Sequence, residues 1–190
     1  IQRKDYDSAQ MLIDKLPNVS INKKQFQAKL YISQDKLNDA CEILEKEIIF
    51  MANSIQSSLL NLLNIALKQN KFDYALIYSD KIKQTTEIYN LWDYNKYVGD
   101  YQIAMKTKDT KKIVDTLKSM LNSIKKPWTL NNSPLYKHIC DNPKSNSNDN
   151  KLGQILINNI IKELECSNEI DFLRKEPEFI ELLNEYKAEN

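Results

Sequence analysis

The residues able to do chemistry are few and scattered. The single histidine, His138, follows Leu135-Tyr136-Lys137, and no serine or aspartate stands at a spacing that would make it the base of a nucleophilic triad. Carboxylate pairs such as Glu163 with Glu165 are ordinary on helix surfaces. The two glycines, Gly99 and Gly153, stand alone, so no glycine-rich loop exists to cradle a phosphate. Cys41, Cys140 and Cys166 are far apart and odd in number, with no Cys-x-x-Cys, which supports neither a disulfide framework nor a zinc site. Catalytic residues, a metal and a cofactor are therefore not expected, and the chain is not read as an enzyme.

The chemistry that remains is recognition. Ser57, Asn61, Asn64 and Lys68 follow one another at steps of four, three and four, so on a helix they share a face. An asparagine amide offers both a donor and an acceptor, which suits it to hold an extended peptide backbone. Lys29 and Lys96 fall at comparable positions in the flanking segments and would attract a carboxylate. These six are the expected ligand-binding groove; the bland alternative is an ordinary solvated face in an Asn- and Lys-rich chain. Tyr89, Trp92, Tyr94, Tyr97 and Tyr101 crowd a short stretch. Trp92, Tyr97 and Tyr101 are candidate aromatic contacts, with helix–helix packing as the alternative.

Positioning such a groove requires helices, and the composition favours them. Two glycines and five prolines in 190 residues leave few breakers. Spacing predicts helices over about 4–16, stopping at Pro17-Asn18, over 22–33 with Asn22 as cap, over 36–52, 55–69, 72–88, 91–107 and 110–125. In 36–52, Leu37, Ala40, Cys41, Leu44, Ile48 and Met51 define an inward face, with Glu42, Glu45 and Lys46 outward. Leu59, Leu62, Leu63 and Ala66 do the same in the next helix. Lys126-Pro127 ends the regular part, and 127–151 reads as a loop-rich, exposed linker. Helices resume over 152–166, where Leu152, Ile155, Leu156, Ile160, Ile161 and Leu164 form the stripe, then over 170–175, then behind Pro177.

These helices repeat. Tyr6-Asp7-Ser8-Ala9, Lys36-Leu37-Asn38-Asp39-Ala40 and Lys71-Phe72-Asp73-Tyr74-Ala75 each bring an alanine to the start of a helix, at steps of 31 and 35 residues. A weaker copy, Asp109-Thr110-Lys111-Lys112-Ile113-Val114, follows 39 residues on. Spacings of this size are similar to the tetratricopeptide repeat, whose period is about 34 residues. The expected fold is all-α: a tetratricopeptide-like right-handed α-solenoid of helical hairpins over 1–126, with the first repeat truncated, a linker over 127–151 and a helical C-terminal cap over 152–190.

The net charge of +1 gives no global case for nucleic acid or an anionic membrane. Residues 48–67 carry no charge but contain seven polar groups, Asn53, Ser54, Gln56, Ser57, Ser58, Asn61 and Asn64, which argues for a buried hairpin and no membrane. Free cysteines and the lack of a signal peptide fit the cytoplasm. The first residue is Ile1, and 1–16 reads as the second helix of a hairpin whose first helix is missing, so the expectation is a piece of a longer protein.

Two segments carry a further resemblance. Lys126-Pro127-Trp128-Thr129-Leu130 with Ser133-Pro134-Leu135-Tyr136-Lys137-His138-Ile139, and Ile170-Asp171-Phe172-Leu173-Arg174-Lys175-Glu176-Pro177-Glu178-Phe179, resemble the C-terminal repeat domains of firmicute Xre-type helix-turn-helix regulators. The resemblance implies a ligand-sensing or dimerising domain of a transcription regulator, with DNA bound only through an N-terminal domain absent from this chain. It also implies a short peptide or protein segment in the groove, Asn61 and Asn64 clamping its backbone, and a homodimer among the partners. The carboxylate-clamp type of repeat domain is similar more loosely, through Asn61, Asn64 and Lys96, with Asp100 on the same helix weakening the match. The alternative is a tetratricopeptide-type protein–protein adapter with no DNA-binding role.

Overall fold

A computed structural model of the chain describes residues 5–16, 21–126, 128–130, 133–140 and 149–188, with the backbone alone at 21, 22, 140, 149–152, 187 and 188. The protein is all-helical, and no strand occurs among the described residues. The α-helices are α1 (Tyr6–Asp14), α2 (Ile21–Ser33), α3 (Leu37–Lys68), α4 (Phe72–Ile88), α5 (Asn95–Thr107), α6 (Thr110–Lys125), α7 (Lys137–Cys140), α8 (Asp149–Cys166) and α9 (Pro177–Ala188). Short 3-10 turns occupy Pro134–Tyr136 and Asn168–Leu173. The chain divides into two compact units, Ile1–Met51 with Leu130–Ser145, and Ala52–Thr129 with Asn146–Asn190.

The helix ends follow one chemical rule. At Asp35, Asn70, Asn90 and Lys108 the backbone turns left-handed, with φ of 61°, 56°, 46° and 56°. In each case the next amide reaches back five residues: Lys36 to Tyr31, Lys71 to Ala66, Leu91 to Thr86 and Asp109 to Ala104, at 2.9 to 3.1 Å. This closure satisfies carbonyls that a helix end would otherwise leave open and reverses the chain within a few residues. Ala40 and Ala75 lie five residues beyond two of these turns and are 2% and 0% exposed, as their spacing predicts; Ala9 is only half-buried.

The largest departure lies between residues 52 and 55. Two helices are expected there, and α3 instead runs unbroken for 32 residues. Ala52-Asn53-Ser54-Ile55 contains no glycine or proline, and nothing in it opposes continuing the i to i−4 ladder. The expected faces are also rotated. Glu45 is buried, whereas Leu37, Leu44 and Leu62 are exposed. In α8, Ile157, Ile161 and Leu164 are buried and Ile155 is exposed. Helix α2 begins at Ile21, so Asn22 is inside it and not its cap. The expected stops at Pro17-Asn18 and Pro127, and the part of the linker over 141–148, lie outside the described residues.

In the N-terminal unit, Ile13, Ala28, Leu30, Ala40 and Tyr136 are buried. The Tyr6 hydroxyl donates to the Ser33 carbonyl at 2.6 Å, and the Gln10 and Gln27 amides pair at 2.9 Å, joining α1 to α2. Segment 133–140 is not an exposed linker. Ser133 caps the 3-10 turn, Tyr136 is 0% exposed, and Glu45 accepts from the backbone amides of His138 and Ile139 at 2.9 and 3.0 Å. The same carboxylate meets His138 Nδ1 at 2.5 Å. Lys24 pairs with the buried Glu47 from α2.

The second unit holds the main core. Ile113, Leu117, Leu121 and Ile124 on α6 recur every three or four residues and pack with Ile157 and Ile161 of α8, Leu173, and Phe179 and Tyr186 of α9. Cutting one such leucine to alanine typically costs about 2–5 kcal/mol. Tyr186 keeps its buried hydroxyl satisfied by donating to Asn122 Oδ1 at 2.7 Å. A second cluster joins Leu63, Ala66 and Leu67 of α3 to Ala75 and Ile82 of α4 and Ile103 of α5.

Candidate functional site: a cleft on α3, α4 and α5

Within the second unit, α3, α4 and α5 enclose a cleft of about 230 Å³. Asn53, Gln56, Ser57 and Leu60 line it from α3, Ile82 from α4, and Asn95 and Val98 from α5. On α3, Asn53 is three and four residues from Gln56 and Ser57, and Leu60 is four and three from the same pair, so the four share one face of the helix. The Gln56 amide donates to the Ile82 carbonyl at 3.0 Å and to Thr86 Oγ1 at 2.6 Å, which fastens α3 to α4 beneath the cleft. Thr86 in turn donates to the Ile82 carbonyl at 2.9 Å. The wall opposite α3 is placed by α4 against α5, where Ser79 donates to Asp100 at 2.7 Å and Lys83 pairs with Asp100 at 2.6 Å.

Among the described residues, no ionisable side chain lines the cleft. Its walls offer carboxamides and a hydroxyl, and Leu60, Ile82 and Val98 supply apolar surface. Small-molecule sites typically enclose about 300–1,000 Å³, so this volume suits one or two side chains of a longer ligand better than a whole cofactor. Carboxamides bind main-chain N–H and C=O alike, whatever the side chains they belong to.

Of the expected groove residues, Ser57 lines the cleft and the others do not. Asn64 is half-buried, one further turn along from Leu60, while Asn61 and Lys68 are exposed on the flank. Lys96 is occupied. Its ammonium lies 3.0 Å from Asp93 and 3.7 Å from Glu87, and the hydrogen bond to Asp93, with both carboxylates nearby, raises its pKa against the opposing effect of burial. It is not a free anchor for a ligand carboxylate. Lys29 belongs to the N-terminal unit, where it is exposed with its ammonium 5.8 Å from the Phe26 ring centre.

The aromatic candidates divide. Trp92 and Tyr101 pack against the cluster built on α6, and burial raises the Tyr101 pKa, with Glu163 and Glu169 adding to the shift. Trp92 stands edge-on to Tyr94 at 5.1 Å. Both expected contacts are therefore packing residues: Tyr101 from α5 and Trp92 from the segment between α4 and α5. Tyr97 is half-buried and outside the cleft lining.

Asn53, Gln56 and Asn95 are the polar lining residues absent from the expected groove. Asn53 extends the Ser57 stripe by one turn in the N-terminal direction, a step masked by the turn expected at 52–55. Asn95 is the first residue of α5, whereas a helix from 91 would have placed it inside. No protein-family model, curated protein or solved structure matches this chain.

Proposed function

We propose that this chain is the ligand-sensing and dimerising part of a helix-turn-helix regulator, built as a tetratricopeptide-like right-handed solenoid, and that it holds an extended peptide segment in the cleft on α3, α4 and α5. The observation that carries the binding reading is the uncharged, carboxamide-rich lining formed by Asn53, Gln56, Ser57 and Asn95. The repeat reading is supported by the left-handed closures at Asp35, Asn70 and Lys108, 35 and 38 residues apart, with a further closure at Asn90 inside the last interval. The link to DNA rests on the resemblance of residues 126–139 and 170–179 alone. The unbroken α3 departs from a regular array of hairpins.

The second reading, a plain protein–protein adapter, is favoured by the same neutral cleft, which needs no DNA-binding partner domain. Expression of the full reading frame from which this chain comes separates the two. A regulator gives sequence-selective DNA binding that a cleft-binding peptide alters, while this chain alone gives none in a gel shift at physiological salt. A full product that binds no DNA leaves the adapter.

A further inference from the structure

The orientation of the Gln56 carboxamide is decided by α4. Its nitrogen lies 3.0 Å from the Ile82 carbonyl and 2.6 Å from Thr86 Oγ1. A carbonyl only accepts, and the Thr86 hydroxyl already gives its proton to that same carbonyl at 2.9 Å. Both atoms therefore call for a donor, and only the NH2 end of a carboxamide is one. Turning the amide over would set its oxygen against two acceptors. The nitrogen is thus committed to α4, and among the described residues nothing donates to Gln56 Oε1. The buried side-chain atoms left unpaired are Gln34 Oε1, Trp92 Nε1 and Gln102 Oε1, so Gln56 Oε1 is open to solvent. Gln56 lines the cleft, with Leu60 one turn further along α3 and the buried Ile82 among its walls.

We infer that Gln56 makes the cleft selective for a hydrogen-bond donor: its Oε1 accepts from a main-chain N–H of the bound peptide, so the residue at that point is not proline. The inference rests on the peptide reading above and adds a polarity to it. The Ser57 hydroxyl can turn to either role, and Gln56 cannot. A ligand carboxylate brings only acceptors to face Oε1. A ligand ammonium is a donor, but it would give up its hydration against walls that carry no carboxylate. A main-chain N–H is neutral and needs an acceptor wherever the peptide is buried. A site built around such a bond rejects an analogue that lacks the donor, because its own polar group is then left unpaired.

The first measurement needs no ligand. In the free chain, hydrogen exchange at the Gln56 side-chain NH2, followed by nuclear magnetic resonance, is expected to be slower than at the exposed Gln69. Equal rates would mean that the amide turns freely, and would overturn the inference. The second measurement uses a peptide selected from a random display library whose binding is lost in Val98→Trp. Each main-chain N–H is replaced in turn by an ester oxygen, which removes the donor and little else. One position is expected to lose about five- to hundred-fold in affinity with the parent chain, and no measurable affinity with Gln56→Met of unchanged helical circular dichroism. If every ester weakens binding equally in the parent and in Gln56→Met, the inference falls and the peptide reading stands. If no selected peptide is lost in Val98→Trp, the peptide reading falls and takes the inference with it.

Discussion

Ser79 on α4 lies directly beneath Gly99 on α5: a Cβ placed on Gly99 would come 2.6 Å from the Ser79 hydroxyl oxygen and 2.9 Å from its Cβ. The two helices meet there with no room for a methyl group, and the contact sets the wall of the cleft that Asn95 and Val98 provide. The same hydroxyl donates to Asp100, so it is not free to turn aside without losing that bond.

Gly99→Ala is therefore expected to destabilise the second unit, although alanine is the better helix former by about 1 kcal/mol. Overpacking of this kind costs about 1–3 kcal/mol and outweighs the propensity gain. Thermal unfolding followed by circular dichroism checks it. A melting midpoint at or above that of the parent would mean that α5 can slide from α4 at no cost.

How far the sequence reveals this architecture depends on the range of the interaction. The helix starts at Ala40 and Ala75, the proline at the head of α9 and the all-α class are legible because they rest on local spacing and backbone chemistry. Glu45 shows the opposite case. Its place on α3 reads as an outward polar position, and it is buried because backbone amides 93 and 94 residues away need an acceptor. No local pattern announces that partner. The cleft is intermediate: Ser57 is legible from its stripe, Asn53 was hidden by a turn that does not form, and the engagement of Lys96 is legible in part, since Asp93 stands three residues before it while Glu87 lies across a turn that local spacing does not close.

Glu45→Gln tests that long-range contact. A glutamine keeps one carbonyl oxygen for two amides and loses the charge that strengthens both bonds. Losing a buried, charge-assisted acceptor of this kind costs about 1–3 kcal/mol. The expected result is faster hydrogen exchange at the His138 and Ile139 amides, with protection in α6 unchanged. Unaltered exchange at those two amides would show that the Glu45 carboxylate does not hold segment 133–140.

The Asp100 carboxylate gives a pH dependence with a definite sign. Burial pushes its pKa up, but hydrogen bonds from Lys83 and Ser79 outweigh that and hold it below the ordinary aspartate value. Because the folded pKa is lower than the unfolded one, its contribution is present at neutral pH and is lost as pH falls through the folded value. The acid limb of a stability–pH curve should be shallower in Asp100→Asn than in the parent. Parallel acid limbs would show that the Lys83–Asp100 pair adds nothing to folding.

The central claim is that an extended peptide lies in the cleft on α3, α4 and α5. It is tested most directly by selecting binders from a random-peptide display library and titrating one into three variants by calorimetry. Val98→Trp fills the cleft and is expected to abolish binding. Asn95→Ala removes one amide partner and is expected to weaken binding by about 1–3 kcal/mol, roughly five- to hundred-fold. Asn61→Ala, on the exposed flank, is expected to leave the affinity unchanged. Full affinity in Val98→Trp, with the helical spectrum intact, would contradict the account, and a loss confined to Asn61→Ala would move the site out of the cleft.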